Sequence, residues 1–364
     1  MLHLDINMIK ELSDAFGPSG HEEEVCKVIK KYSKGLELSN DAMFNLYMKH
    51  KSFSGKKPVI MLDAHMDECS FMVQCILENG LLSILPLGGM HLTNLPAHTV
   101  IIRNKKGEKI RGIITSKPVH FLKDKERNSN DLDIESIYVD VGASSKIEVM
   151  EDYGISVGDP MMPEVKAEYD AKHDIFFGKA LDNRIGCACI IETMKELMED
   201  DLNVDVVGAF ATQEEVGMRG AVITTKTVQP DLAIVFEGSP ADDFYYDKTR
   251  SQGALKKGVQ IRHVDKLYIA DCDFINLAQE MGEEHGIPYQ NAVRRGGSTN
   301  AARISLEAKP VPVLVLGVPC RYVHTHYNYC SLEDVQAAVK MAAEVIRSLN
   351  QETIDVLLKK NLLK

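Results

Sequence analysis

Five short polar clusters carry the side chains best suited to chemistry: HMDE at His65 to Glu68, LDNR at Leu181 to Arg184, QEE at Gln213 to Glu215, FEG at Phe236 to Gly238, and RYVHTH at Arg321 to His326. Together they offer imidazoles and several carboxylates, the mixed nitrogen and oxygen donor set that zinc, cobalt or manganese accepts. Taken singly, each is a weak signal. HxD and Glu-Glu pairs also occur on solvated faces, and a histidine at a strand end is commonly held by structural hydrogen bonds alone. As a set they gain weight from position: they follow apolar runs of strand type or open a helix, and α/β sheets bind ligands in the crevice at the carboxyl ends of their strands.

The elements that must position these clusters are legible in part. Apolar residues between Met8 and Leu36 recur at helical spacing and are broken by Gly17-Pro18-Ser19-Gly20, which predicts helix, turn, helix, with Ser19 and Glu22 as a capping box for the second. The run PVIMLDA, Pro58 to Ala64, reads as a strand that stops at His65. From about Ser70 to Lys166 short β-type runs (LLSILPL, HTVIIRN, GIITS, SIYVDVG) alternate with polar turns. This predicts a small all-β unit inserted in a larger domain, since metal-type clusters flank it on both sides. After Gly178 the pattern turns α/β: a helix from about Asn183 to Glu199, strands VDVVGAFAT, LAIVF and VPVLVLGV, a helix from Cys272 to His285, and a last helix from Ser331, capped by Ser331 and Asp334.

Composition limits what such a domain does. A net charge of -11 leaves no excess of Lys and Arg to neutralise phosphates, so no nucleic-acid partner is expected. The longest apolar stretches, such as Val311 to Val318, fall well short of the ~20 residues a membrane helix needs. The opening MLHLDINMIKELSDAFG lacks the basic and apolar regions of a signal peptide, and the expected location is the cytoplasm. Eight cysteines without CxxC pairing read as free, mostly buried thiols.

The chain resembles the co-catalytic di-metal aminopeptidases, the family of glutamyl, deblocking and tetrahedral (TET) aminopeptidases. The matching text is LSDAFGPSGHEEEV, LDAHMDECSFMV, GIITSKPVHFL, YVDVGASSKIEV, GISVGDPM, FGKALDNRIGCACIIE, ATQEEVGMRGA, RRGGSTNAARI and VPCRYVHTHYN. These motifs occur in order over nearly the whole chain. The resemblance implies two divalent ions: Asp182 bridges them, Glu215 and His324 complete one site, and His65 and Glu237 complete the other. It also implies Glu214 as general base, taking a proton from the attacking water and returning it to the leaving amine, with Asp67 orienting His65 through its second ring nitrogen. Two departures stand out. Glu237 occupies a position where the family usually carries Asp, and FEGSPADDFYYD replaces the family's usual pocket segment. Asn183 stands where many relatives have Asp, and in relatives the bond after the bridging Asp is commonly cis.

His326 is the rival of His324 for the imidazole role, and matching RYVH to the family motif favours His324, leaving His326 near the substrate. His21, His91, His98, His120, His173 and His285 lack partner motifs and are expected to be structural or superficial. The Gly296 to Asn300 segment resembles a substrate loop rather than a nucleotide site, and Asp242 and Asp243 are either amine-binding or a solvated loop.

The expected architecture is therefore a mixed central sheet flanked by helices, of the di-zinc exopeptidase kind (residues 1–69 and 167–364), interrupted by a small β-barrel-like dimerisation domain (70–166). Peptides are the expected substrates, and by analogy a homo-oligomer, up to a dodecamer built from dimers, the assembly. The alternatives are a metal-dependent dipeptidase or N-acyl-amino-acid deacylase and, from another class, a non-catalytic peptide-binding scaffold. A glycosidase would leave the two imidazoles without a role.

Overall fold

The structure, a computed structural model, describes residues 4–121 and 132–360. The first three residues of the opening segment, Leu122 of GIITSKPVHFL and part of the 70–166 segment lie outside these.

In chain order the first strands are β1 (Glu37–Asn40), β2 (Leu46–Lys49) and β3 (Val59–His65). Six more follow: β4 (Ser70–Ile76), β5 (Leu82–Leu87), β6 (Thr99–Arg103), β7 (Lys109–Ile114), β8 (Tyr138–Asp140) and β9 (Pro160–Pro163). The remainder are β10 (Glu168–Asp170), β11 (Ile175–Gly178), β12 (Asp205–Ala211), β13 (Leu232–Pro240), β14 (Val259–Val264), β15 (Tyr289–Val293), β16 (Val313–Cys320) and β17 (Asn328–Cys330). An eight-stranded sheet has the order β1-β2-β12-β3-β13-β16-β14-β15, strands β4 to β9 close into a barrel, and β10, β11 and β17 form a small third sheet.

Strands β12, β3, β13 and β16 are mutually parallel, so their carboxyl ends share one edge. Both faces of these strands are covered, which is why they read as continuous apolar runs and not as alternations. Ile60, Leu62, Ile234 and Phe236 point into the larger core, packed with the helices Leu181–Glu196 and Leu332–Ser348. Met61, Ala233 and Val235, one residue out of phase, point into the smaller core on the opposite face. The barrel holds a separate core built on Phe71, Val73, Val100, Ile102, Val139 and Met161.

Several local expectations change. The helix expected from Asn183 to Glu199 stops at Glu196, and the Leu181–Glu196 span is kinked at its start, where Asp182 and Asn183 have non-helical backbone. Ser19 does not cap the helix Glu23–Tyr32; its hydroxyl donates to Asp67 at 2.6 Å, while the Glu22 carboxylate accepts from the Gly20 amide. A stronger, charged acceptor across the chain has displaced the local cap. Ser331 does cap its helix, accepting from the Glu333 amide, but Asp334 turns away to accept the amides of Lys256 and Gly258 at 2.7 Å each.

Candidate metal centre

The shared edge gathers the polar clusters. His65 ends β3, Glu214 and Glu215 follow β12, Glu237 lies within β13, His324 follows β16, and Asp182 sits in the first turn of the helix Leu181–Glu196. The peptide bond between Asp182 and Asn183 is cis. Gly238 allows this convergence, because a Cβ there would lie 2.6 Å from the Asp182 Cα. Ala180, Gln213 and His324 all adopt positive φ, at 52°, 53° and 61°. Left-handed backbone at a residue other than glycine costs energy that the surrounding fold must offset, and such positions concentrate at functional sites.

Asp182 presents its two carboxylate oxygens to two different imidazoles. Oδ1 is 3.2 Å from His65 Nε2, and Oδ2 is 3.3 Å from His324 Nε2. Glu237 Oε1 lies 3.6 Å from His65 Nε2, and Glu215 Oε2 lies 3.7 Å from His324 Nε2. Glu214 Oε2 is 4.0 Å from His65 Nε2. Two donor groups result, each compact enough for one cation: His65, Asp182 and Glu237, and Cys69, Glu215 and His324. His326 is not among them. It is buried, stacks on His98 at a 4.5 Å centroid separation, and lines a neighbouring cleft.

Asp67 organises both sides of this arrangement. Its carboxylate accepts the amides of Glu214 at 2.9 Å and Glu215 at 3.1 Å, and His65 Nδ1 meets its main-chain carbonyl at 3.2 Å with Oδ1 at 3.4 Å. It therefore orients an imidazole and two glutamates at once, which sequence reading had assigned only for the imidazole. Behind it, Glu68 accepts both Lys179 Nζ, at 2.7 Å, and Arg184, at 3.0 Å, in a fully buried triad. Arg184 also donates to the carbonyls of Leu12, Ala15, Gly17 and Met66, tying the first helix and its turn to the metal-type segment. Lys179 and Arg184 stand at either end of KALDNR, and nothing in the sequence pairs them with Glu68.

The electrostatics fit cations. Burial, with Asp182 nearby, pushes the Glu237 carboxyl up to about 8. Burial also holds Glu215 at about 7, against the opposing pull of His324. Glu214 is raised well above the carboxylate range by burial and by its neighbours Glu237, Glu215 and Asp67, with His65 opposing. Asp182 is the exception: despite its burial, the two imidazoles hold it below its ordinary value. Several carboxylates packed together out of water repel one another, and a cation between them removes that repulsion. The donor set, its burial and the orientation of each imidazole by a second hydrogen bond all suit divalent metal.

Next to the centre opens a cleft of about 660 Å³ lined by Glu214, Glu237, Arg250, Arg262, Arg294 and Arg295 among others. Of the two readings of Asp242 and Asp243, amine binding and a solvated loop, neither describes them, because both carboxylates are committed to arginines. Asp242 is held by Arg294 at 2.7 Å and by the Ser251 hydroxyl, and Asp243 accepts from Arg321 Nε at 3.1 Å.

Against known proteins, the sequence profile of the M42 glutamyl aminopeptidases matches residues 45–341. The chain belongs to the M42 family. It is 29% identical over 348 residues to the glutamyl aminopeptidase of Lactococcus lactis, covering 95% of this chain and 97% of that one. Its structure superimposes on a TET aminopeptidase from Thaumarchaeota archaeon SCGC AB-539-E09 with a TM-score of 0.92 and 31% identity, covering 97% of this chain and 99% of that one. The TET1 peptidase of Pyrococcus horikoshii, which can assemble into a tetrahedron or a large octahedral shell, matches with a TM-score of 0.82 and 26% identity over 94% of this chain and 99% of that one. As an M42 member the protein is a peptide-bond hydrolase, a metal-dependent aminopeptidase.

Proposed function

We propose that this M42 peptidase releases N-terminal residues from peptides at a centre of two divalent cations, with His65 and Glu237 on one, Glu215 and His324 on the other, and Asp182 shared between them. The observation that carries this reading is the Asp182 carboxylate, whose two oxygens face His65 and His324 at 3.2 and 3.3 Å. When bound, the cations supply Lewis acidity that makes water a nucleophile near neutral pH and polarises the scissile carbonyl. Glu214, which lines the cleft and belongs to neither donor group, takes the proton of the attacking water and returns it to the departing amine. Asp67 keeps Glu214 in place through the Glu214 amide. Zinc, cobalt and manganese all suit these ligands.

The barrel strands β4 to β9 are the natural seat of self-association. Leu85, Ile113, Ile147, Met150 and Val157 are exposed on this part of the chain, an amount of apolar surface that favours coverage by another subunit. We read the assembly as a homo-oligomer that extends to a dodecamer, with residues 70–166 as the dimerising unit. Eight free cysteines suit the reducing cytoplasm, and among the described residues no helix is long and apolar enough to cross a membrane.

The test is hydrolysis of free and N-acetylated amino-acid anilides and short peptides by metal-stripped protein, with zinc, cobalt or manganese restored. Metal-dependent cleavage of the free-amine substrates alone is expected. Cleavage of only the acetylated series would identify a deacylase, and no turnover with any metal would leave a binding protein.

A further inference from the structure

Cys69 follows the HMDE cluster directly and is buried, yet its sulfur is not committed to the hydrophobic core. Its Sγ donates weakly to the Gly89 carbonyl at 3.8 Å and lies within 4.8 Å of the donor atoms of Glu215 and His324. These three residues and Asp182 line a separate small cavity of about 10 Å³. A void of that size holds roughly one small sphere, a water or an ion. Gly88 and Gly89, just past the end of β5, pack against these side chains. A Cβ on Gly88 would stand 2.8 Å from Cys69 Sγ and 3.1 Å from Glu215 Oε2, so the backbone packs directly against both groups. The Gly89 carbonyl is 2.7 Å from His324 Nδ1, which leaves Nε2 as the nitrogen facing the cavity.

We infer that Cys69 is a thiolate ligand of the cation held by Asp182, Glu215 and His324. The inference rests on the two-cation reading above and adds a ligand to it. Sulfur, nitrogen and two carboxylate oxygens then surround one small cavity, a donor set that zinc accepts in tetrahedral geometry with Zn–S near ~2.3 Å. As the sulfur–cation bond forms, the thiol proton leaves to solvent, and no oxidant or reductant takes part. The soft donor biases this position toward zinc or cobalt and against manganese or magnesium. With its coordination filled by four protein groups, this cation has less room for substrate than the one beside His65 and Glu237.

The experiment is cobalt substitution of the metal-stripped full-length protein, wild type beside Cys69→Ser and Cys69→Ala, read by absorption. Wild type is expected to show the visible cobalt bands together with a near-ultraviolet thiolate-to-cobalt charge-transfer band. Both variants keep the visible bands, lose the charge-transfer band, and hold one of their two zinc ions at least about tenfold more weakly. X-ray absorption of the zinc-loaded wild type, which needs no variant, should contain a sulfur scatterer near ~2.3 Å from zinc. Visible cobalt bands without charge transfer, and a zinc shell of nitrogen and oxygen only, would overturn the Cys69 assignment while leaving the two-cation aminopeptidase standing. No cobalt bands at all would overturn both. Charge transfer in a protein that cleaves no peptide would keep the ligand and remove the activity.

Discussion

His65 Nε2 and Asp182 Oδ1 meet at 3.2 Å across 117 residues of chain. The contact joins the end of a central strand to the first turn of a helix packed on the same sheet, and the other oxygen of Asp182 repeats it with His324. One carboxylate thus couples the two halves of the centre, and the residues around it divide into those that hold cations, those that move a proton and those that keep the rest in place.

Glu214 belongs to the second class. Glu214→Gln removes the proton acceptor without removing a donor atom from either metal group. Its kcat is expected to fall by ~10²–10⁴ while the metal content per chain stays at the wild-type value. Elemental analysis alongside steady-state kinetics checks both halves, and loss of metal in this variant would move Glu214 into the ligand set.

The raised Glu215 and Glu237 carboxyls predict a pH dependence of stability in the metal-stripped protein. Their folded values, about 7 and about 8, lie above the ordinary 4.5, so the folded state holds protons that the unfolded chain releases. Their contribution to the stability of the stripped protein is therefore fully present below the ordinary carboxyl value and is lost as pH rises through that window toward 8. Cations require both groups ionised, so metal affinity rises over the same range. Melting curves with and without zinc should diverge as pH increases. Parallel curves would mean that these carboxylates do not meet the metal.

The cleft beside the centre predicts a preference for acidic N-terminal residues. Arg250, Arg262 and Arg294 each face a carboxylate, in Asp247, Asp265 and Asp242, whereas Arg295 has no carboxylate partner among the described residues. A substrate Glu or Asp side chain would supply one, in a charge-assisted pair. Glutamyl and aspartyl anilides should be cleaved at least about tenfold faster, in kcat/KM, than lysyl anilide, and Arg295→Glu should reduce or invert that ratio. An unchanged ratio would place the specificity elsewhere.

Glu68 tests the support of the site. Replacing it with Gln leaves Lys179 and Arg184 buried without their counter-charge, a change that costs roughly 3–5 kcal/mol. Denaturant unfolding of Glu68→Gln should show that loss, with activity per folded molecule falling less than in Glu214→Gln. A stability loss below about 1 kcal/mol would mean that water reaches the pair.

Much of this was readable before the fold. The parallel strands announced themselves as apolar runs because both of their faces are covered, and each ended at a cluster whose residue types fit metal. The edge strands β1 and β15 were not legible: Glu37–Asn40 is largely exposed and Tyr289–Val293 only partly buried, so neither alternation nor an apolar run marks them. Ser19 and Asp334 carried sound local capping signals that distant partners outcompeted. Nothing in the sequence marked Lys179 and Arg184 as a buried pair, because their counter-ion, Glu68, lies more than a hundred residues earlier in the chain. Cys69 passed as one buried thiol among several, since only the folded chain brings it against Glu215 and His324.

The measurement that bears most directly on the centre is a count of zinc ions per chain, by elemental analysis after exhaustive dialysis, in wild type and in Asp182→Asn. A carboxylate shared by two cations predicts two per chain in wild type and the weakening of both together in the variant. One zinc in wild type, or an Asp182→Asn protein that retains two, would contradict the bridged centre.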